Sequence, residues 1–308
     1  MQQRSKELLQ KVAGIEGIPE GAHSIREDGG TLSLYSTEHV KIIAREDKMG
    51  IDIDVAPGTK NETIHIPVIV TASGLKERVI NTFHIGEGAD VVIMAGCGIH
   101  NCGPDDAQHD GLHTFVLEKN ARMVYTEKHY GAGDGSGKRL LNPTTELHLK
   151  EGATVKLEMT QIEGVDDTIR TTVVVLEDRA SLLILESLLT DGDQKAKSIV
   201  DIVLNGKGSD AQIISRSVGK GHSEQIFQLS MTGQNQCKGH IQCDSIIMDQ
   251  ARVSSIPEVR AEHAEANLIH EAAIGRIAGE QLIKLMTLGL TMAEAEKVVI
   301  QSFLNEEV

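Results

Sequence analysis

Glu151-Gly-Ala-Thr-Val-Lys-Leu157 reads as a polar turn, a small residue, and then a strand in which apolar and polar side chains alternate. The same unit stands upstream as Glu87-Gly-Ala-Asp-Val-Val92 and Glu118-Lys-Asn-Ala-Arg-Met-Val124. It stands downstream as Glu177-Asp-Arg-Ala-Ser-Leu-Leu183, Gly208-Ser-Asp-Ala-Gln-Ile-Ile214 and Asp249-Gln-Ala-Arg-Val253. Aligned on the alanine, the units fall at 89, 121, 153, 180, 211 and 251, in steps of 32, 32, 27, 31 and 40 residues. A hairpin-built sandwich would return every 8–12 residues or so. Recurrence at about 30 marks a solenoid, whose rungs bury their inner faces only by stacking on one another. The expected fold is mainly β, a right-handed parallel β-helix.

Alternating segments such as Thr31-Leu-Ser-Leu-Tyr35 and Thr171-Thr-Val-Val-Val175 extend this pattern on both sides. Before them, Ser5 to Val12 carries Leu8, Leu9 and Val12 among charged residues, which predicts a short helix ending near Gly14, an appendage to the strands. After Gly275, Leu282, Ile283, Leu285 and Met286 group on one side of a helix over 279–286, and Thr291-Met-Ala-Glu294 forms a capping box for a second helix through Phe303. This C-terminal helical hairpin could cap the open solenoid end, dock a partner, or do both. The expected division is a helical segment over 1–24, a β-helix core over 25–272 and a helical region over 273–308.

Composition narrows the function. With Trp absent, Phe 4 and Tyr 3, the core is aliphatic, and the stacking platforms that sugars need are missing. A formal net charge of −15 without a basic cluster repels phosphate backbones and anionic lipid, so neither nucleic acid nor membrane is an expected partner. No signal-like apolar region and no run of about 18 apolar residues is present, which points to the cytoplasm. In that compartment Cys97, Cys102, Cys237 and Cys243 are expected as free thiols, metal ligands or sulfur carriers.

Gly131-Ala-Gly-Asp-Gly-Ser-Gly-Lys138 lacks the first glycine of a phosphate loop, and Arg139 replaces its magnesium-binding hydroxyl, so the chain is not expected to hydrolyse ATP or to be an enzyme. Cys97, His100 and Cys102, followed by His109 and His113, combine thiol and imidazole donors at short spacing among glycines, a set suited to zinc or iron. Cys243 and His270 are 27 residues apart, close to the repeat, so adjacent rungs could stack them about 4.8 Å apart. Glu271 would then point to the opposite face unless a bulge turns it, and the spacing leaves open which of the two faces the thiol. A thiol with imidazole or carboxylate could accept sulfur or ligate iron through exchangeable bonds.

Around these residues the sequence resembles the SufB/SufD family of iron-sulfur cluster assembly proteins. The resemblance lies in Gly239-His-Ile-Gln-Cys-Asp-Ser-Ile-Ile-Met248, Ser255-Ile-Pro-Glu258, Leu268-Ile-His-Glu-Ala-Ala-Ile-Gly-Arg-Ile277, Glu280-Gln-Leu282 and Gly289-Leu-Thr-Met-Ala-Glu-Ala295, in that order. It implies a β-helix whose C-terminal helices dock a SufC-like ABC-type ATPase. It also implies a transient iron-sulfur cluster, with Cys243 and Glu271 falling on cluster-building positions and His270 on a histidine shared with SufD-type members. Sulfur would come from a cysteine desulfurase or sulfide, and the scaffold would pair with itself or with a SufB/SufD-like paralogue. The alternative is a SufD-like structural adaptor that holds no cluster. The resemblance runs from about Asn120 to the C-terminus, and the Cys97 to His113 segment upstream of it is assigned to a compact, single-subunit branch of the family.

Overall fold

A computed structural model describes residues 3–47 and 49–304, with the main chain only at Glu163. Positions 1–2 and 305–308 of the expected terminal segments lie outside the described residues. Helix α1 (Gln3–Ala13) precedes two antiparallel pairs, β1 (His23–Glu27) with β2 (Gly30–Tyr35) and β3 (Val40–Ala44) with β4 (Gly50–Val55). Strands β5 (Lys60–Val70), β6 (Lys76–Ile85), β7 (Asp90–His100), β8 (Ala107–Leu117) and β9 (Arg122–Ala132) then alternate between two sheets. The next rung is broken into β10 (Arg139–Leu141) and β11 (Thr144–Leu149), followed by β12 (Thr154–Glu163), β13 (Asp167–Leu176), β14 (Ser181–Thr190) and β15 (Lys195–Leu204). The last rungs are β16 (Asp210–Gly219), β17 (Glu224–Gly233), β18 (Lys238–Ile247), β19 (Arg252–Ala261) and β20 (Asn267–Gly275). Helices α2 (Gly279–Thr287) and α3 (Met292–Leu304) close the chain.

One sheet runs β2-β1-β5-β7-β9-β12-β14-β16-β18-β20, and the other runs from β3 and β4 through β6, β8, β10 with β11, β13, β15 and β17 to β19. From β5 on every pairing is parallel, the β-solenoid expected from the repeat, of about 8 turns. The small-residue corner column begins with the predicted, buried Ala89, Ala121, Ala153 and Ala180 but continues as Ser209, Cys237 and the partly buried Ala266, because Lys238 N bonds Ser209 O and Asn267 N bonds Cys237 O. Ala211 instead lies against Leu182 two residues further on, and Ala251 belongs to the turn entering the opposite sheet. What the turn requires is small volume at the corner, which serine and cysteine also supply.

Inward side chains from both sheets form one continuous apolar core running from Ala22 to Cys243. Three of its aromatics sit together: Phe83 stacks on Phe115 at 4.2 Å, and Tyr125 meets Phe115 edge-on at 5.1 Å. Helix α1 is built into the structure rather than appended to it. Leu8 and Leu9 pack on Ile25 and Ile69, and Gly96 leaves room for the helix, since a Cβ there would stand 2.7 Å from Val12 O.

The C-terminal hairpin does not cap the solenoid. Thr291 and Glu294 form the predicted capping box, with Thr291 Oγ1 donating to Glu294 Oε2 at 2.8 Å. Helix α3 then lies along the outer face of the first sheet, with Ile300 and Leu304 buried beside Val218. The end rung, β19 and β20, is left uncovered, with Ile256 51%, Val259 43%, Ile269 47% and Ile274 43% exposed. Among the described residues no helix is long and apolar enough to cross a membrane.

Candidate functional site

Cys243 occupies an inward position of β18, fully buried, with Ser215 beside it on β16 and Ala272 beside it on β20. His270 is in register with Ile241, so it sits two residues along from Cys243 rather than directly next to it. Strand rise and spacing place the two Cα atoms about 8 Å apart, within reach of a long imidazole. Period-two alternation keeps His270 on the inner face with Cys243 and sends Glu271 outward, where it approaches His240 Nε2 at 3.4 Å. The question of which neighbour shares the thiol's face is thus answered in favour of His270.

Both ring nitrogens of His270 are buried and without a hydrogen-bond partner. Such a group costs free energy unless something satisfies it. Burial, reinforced by nearby His240, lowers the pKa of His270 and keeps the ring neutral, the form that ligates metal. Burial also pushes the Cys243 thiol up to about 11; Glu186 and Asp244 add to this, while Ser255 and Ser215 oppose it. At neutral pH the sulfur is therefore a thiol, and loading it with metal must release a proton. Beneath it, Glu186 is 3% exposed, accepts from Ser198 and Ser215, and pairs with Arg170 at 3.2 Å.

The segment Cys97 to His113 divides between two faces. Cys97, His109 and His113 line a cavity of about 20 Å³ inside the solenoid, together with Glu127 and His129. His109 Nδ1 meets Glu77 Oε1 at 3.0 Å. His113 Nδ1 meets the Tyr125 hydroxyl at 2.7 Å, and that hydroxyl donates to Glu127 Oε1 at 3.1 Å. Burial drives the Cys97 thiol well up, with Glu77 and Glu127 acting in the same sense. His100 and the exposed Cys102 stand apart at the end of β7, with His100 Nε2 and Cys102 Sγ 3.1 Å from each other. No three His, Cys, Asp or Glu side chains among the described residues are arranged to hold a metal ion. The glycine-rich loop 131–138 lies flush on the loop carrying Cys102: Gly135 N bonds Asn101 O, Gly137 N bonds Gly103 O, and a side chain at either glycine would strike that backbone. Its glycines therefore serve close backbone approach.

Sequence reading did not single out Glu186, Arg170, Glu127, His129 or Ser255 as site residues. The available signal was phase. In Ser181-Leu-Leu-Ile-Leu-Glu-Ser-Leu188, Glu186 falls on the same alternate positions as Leu182, Ile184 and Leu188, all buried. A carboxylate in the inward phase of an apolar strand announces a buried partner.

A family profile described as "SUF system FeS cluster assembly, SufBD core domain" matches residues 72–303. The chain is 30% identical over 287 residues to an iron-sulfur cluster assembly SufBD family protein of Archaeoglobus fulgidus, covering 88% of this chain and 72% of that protein. A Pyrococcus horikoshii protein of the same description is 26% identical over 293 residues, 89% of this chain and 84% of the relative. A chloroplastic one from Arabidopsis thaliana is 28% identical over 244 residues, 74% of this chain and 44% of the relative.

Proposed function

Because the chain belongs to the SufBD family of the SUF system for iron-sulfur cluster assembly, we propose that it is a scaffold that receives sulfur and iron and holds a nascent cluster where two copies meet. The single observation that carries this is His270, whose two buried, unpartnered nitrogens share the inner face of the last rung with the buried Cys243 thiol. The cluster is cargo. Cys243 supplies sulfur ligation, neutral His270 an exchangeable nitrogen, and Glu271, on the outer face with His240, a carboxylate at the contact between copies. A weakly held set suits a cluster that is to be passed on.

Two features support the quaternary part of the reading. The end rung exposes backbone edges and apolar side chains that a second copy would cover. The α2–α3 hairpin exposes Ile283 62%, Met286 42%, Leu288 76% and Met292 49%, a surface for a SufC-like ABC-type ATPase. Nucleotide-driven movement of that partner would open the contact between copies only by binding the open and closed states differently. A cysteine desulfurase or free sulfide is the sulfur source in this scheme.

Anaerobic reconstitution is the test. Cys243→Ser abolishes bound iron and sulfide, and His270→Ala and Glu271→Ala each lower them several-fold. Wild-type loading of Cys243→Ser would sink the scaffold reading in favour of a structural adaptor. Co-purification with the ATPase is lost on deleting residues 279–304.

A further inference from the structure

Serine hydroxyls share the inner face with Cys243, and their protons are not equivalent. Ser215, its neighbour in register on β16, donates its hydroxyl proton to Glu186 Oε2 at 2.8 Å. Glu186 is held in place by Ser198 at 2.9 Å and Arg170 at 3.2 Å, so that proton is committed and Ser215 offers the sulfur only lone pairs. Ser255 lies on β19 in the opposite sheet, in register with the fully buried Phe227 and so on the inner face, where its buried Oγ has no hydrogen-bond partner and it lowers the pKa of the Cys243 thiol. Ser245, two residues along β18, is engaged with Ser217 at 2.8 Å.

A Cys243 thiol can give its proton to Ser215 and needs nothing more. Once the sulfur carries iron, that proton is gone and the negative sulfur requires a donor. Glu186 prevents Ser215 from serving, whereas the Ser255 hydroxyl proton is uncommitted. We propose that Ser255 is a positioning residue for the cargo, donating its hydroxyl proton in a hydrogen bond to the loaded Cys243 sulfur while Glu186 fixes Ser215 as an acceptor. This rests on the scaffold reading above. The step is a hydrogen bond only, with no bond made or broken in the cargo. Hydrogen bonds to cluster sulfur and outer partners of metal ligands set ligand orientation, affinity and reduction potential.

The test uses the full chain carrying Cys102→Ser, so that the exposed thiol does not compete, with Cd²⁺ alone as the probe, followed by sulfur-to-metal charge-transfer absorption. Ser255→Ala weakens Cd²⁺ binding about tenfold, the loss of one hydrogen bond to a charged group, and Ser255→Thr restores it to within about twofold. In the reconstituted protein, Ser255→Ala moves the cluster's reduction potential negative and Ser255→Thr returns it, a pattern that loss of packing alone would not produce. If Ser255→Ala equals its parent in both measurements while Cys243→Ser abolishes binding, the role of Ser255 is overturned and the scaffold reading stands. If Cys243→Ser binds Cd²⁺ like its parent, the scaffold reading falls and Ser255 with it.

Discussion

The two ends of the solenoid handle polar groups in opposite ways. Near β7 to β9 the interior holds His109, His113, Tyr125, Glu127 and His129, yet these side chains bond one another and lie behind antiparallel strands at the end and α1 on the outside. At β18 to β20 the polar inventory is smaller, but His270 has neither nitrogen bonded, Ser255 has no partner, and the rung is uncovered. Glu77 at the first end is held at both oxygens, by His109 at 3.0 Å and Arg26 at 3.5 Å, while Glu127 leaves one oxygen without a hydrogen bond. Buried polarity that closes on itself specifies a packed interior; polarity left open at an exposed rung awaits something from outside.

This contrast can be broken by mutation, beginning with the largest effect. Phe115→Ala, which removes a ring stacked on Phe83 and touching Tyr125, costs about 3–5 kcal/mol in urea unfolding. Ile256→Ala on the open rung costs under about 0.5 kcal/mol in the isolated subunit. Similar losses at both sites would mean that the two ends are equally packed.

Acid is the second probe. Burial lowers the His113 pKa from 6.5 to about 4, although Glu127 opposes the shift, and His109 and His129 reinforce it. The unfolded chain therefore takes up the proton first, so this stability is complete above pH 6.5 and is lost as pH falls toward 4. On the order of 3 kcal/mol is at stake over that window. His113→Gln flattens the dependence of the melting temperature on pH in this range. An unchanged slope would show that the buried imidazole is not what holds the first end together.

The smallest effect on stability is expected at the open rung. Ile269→Asp, on an outward position 47% exposed, shifts the subunit's unfolding free energy by no more than about 0.5 kcal/mol. Where two copies meet at this rung as proposed, it leaves only monomer in sedimentation. A dimer that survives the charge would place the contact between copies elsewhere.

Much of this organisation was legible beforehand, for identifiable reasons. Alternation and the Ala89, Ala121, Ala153 and Ala180 corners reveal the solenoid because a parallel coil repeats its tight, small-residue turn once per rung. The Thr291–Glu294 box reveals α3 because capping is local chemistry. The corner column departs from alanine beyond Ala180 because serine and cysteine also fit, and Cys243 pairs with Ala272 rather than His270 because rung length varies along the coil, so a spacing of 27 does not fix register. The Cys97 to His113 donors look like one set along the chain. Strand alternation and the turn after β7 send His100 and Cys102 away from the cavity that Cys97, His109 and His113 line.

The amino-acid sequence alone determined the period of the coil, the terminal helices and the family, and singled out Cys243, His270 and Glu271 as candidates, because these depend on turn volume, capping and residues met in order along the chain. Only the tertiary structure decided that His270 shares the thiol's face, that Ser255 of the opposite sheet turns an unpartnered hydroxyl to the same interior, and that the C-terminal helices leave the last rung open. Those outcomes depend on how two sheets register across a shared interior, and contacts between strands that are distant in sequence or belong to different sheets leave no periodicity to read.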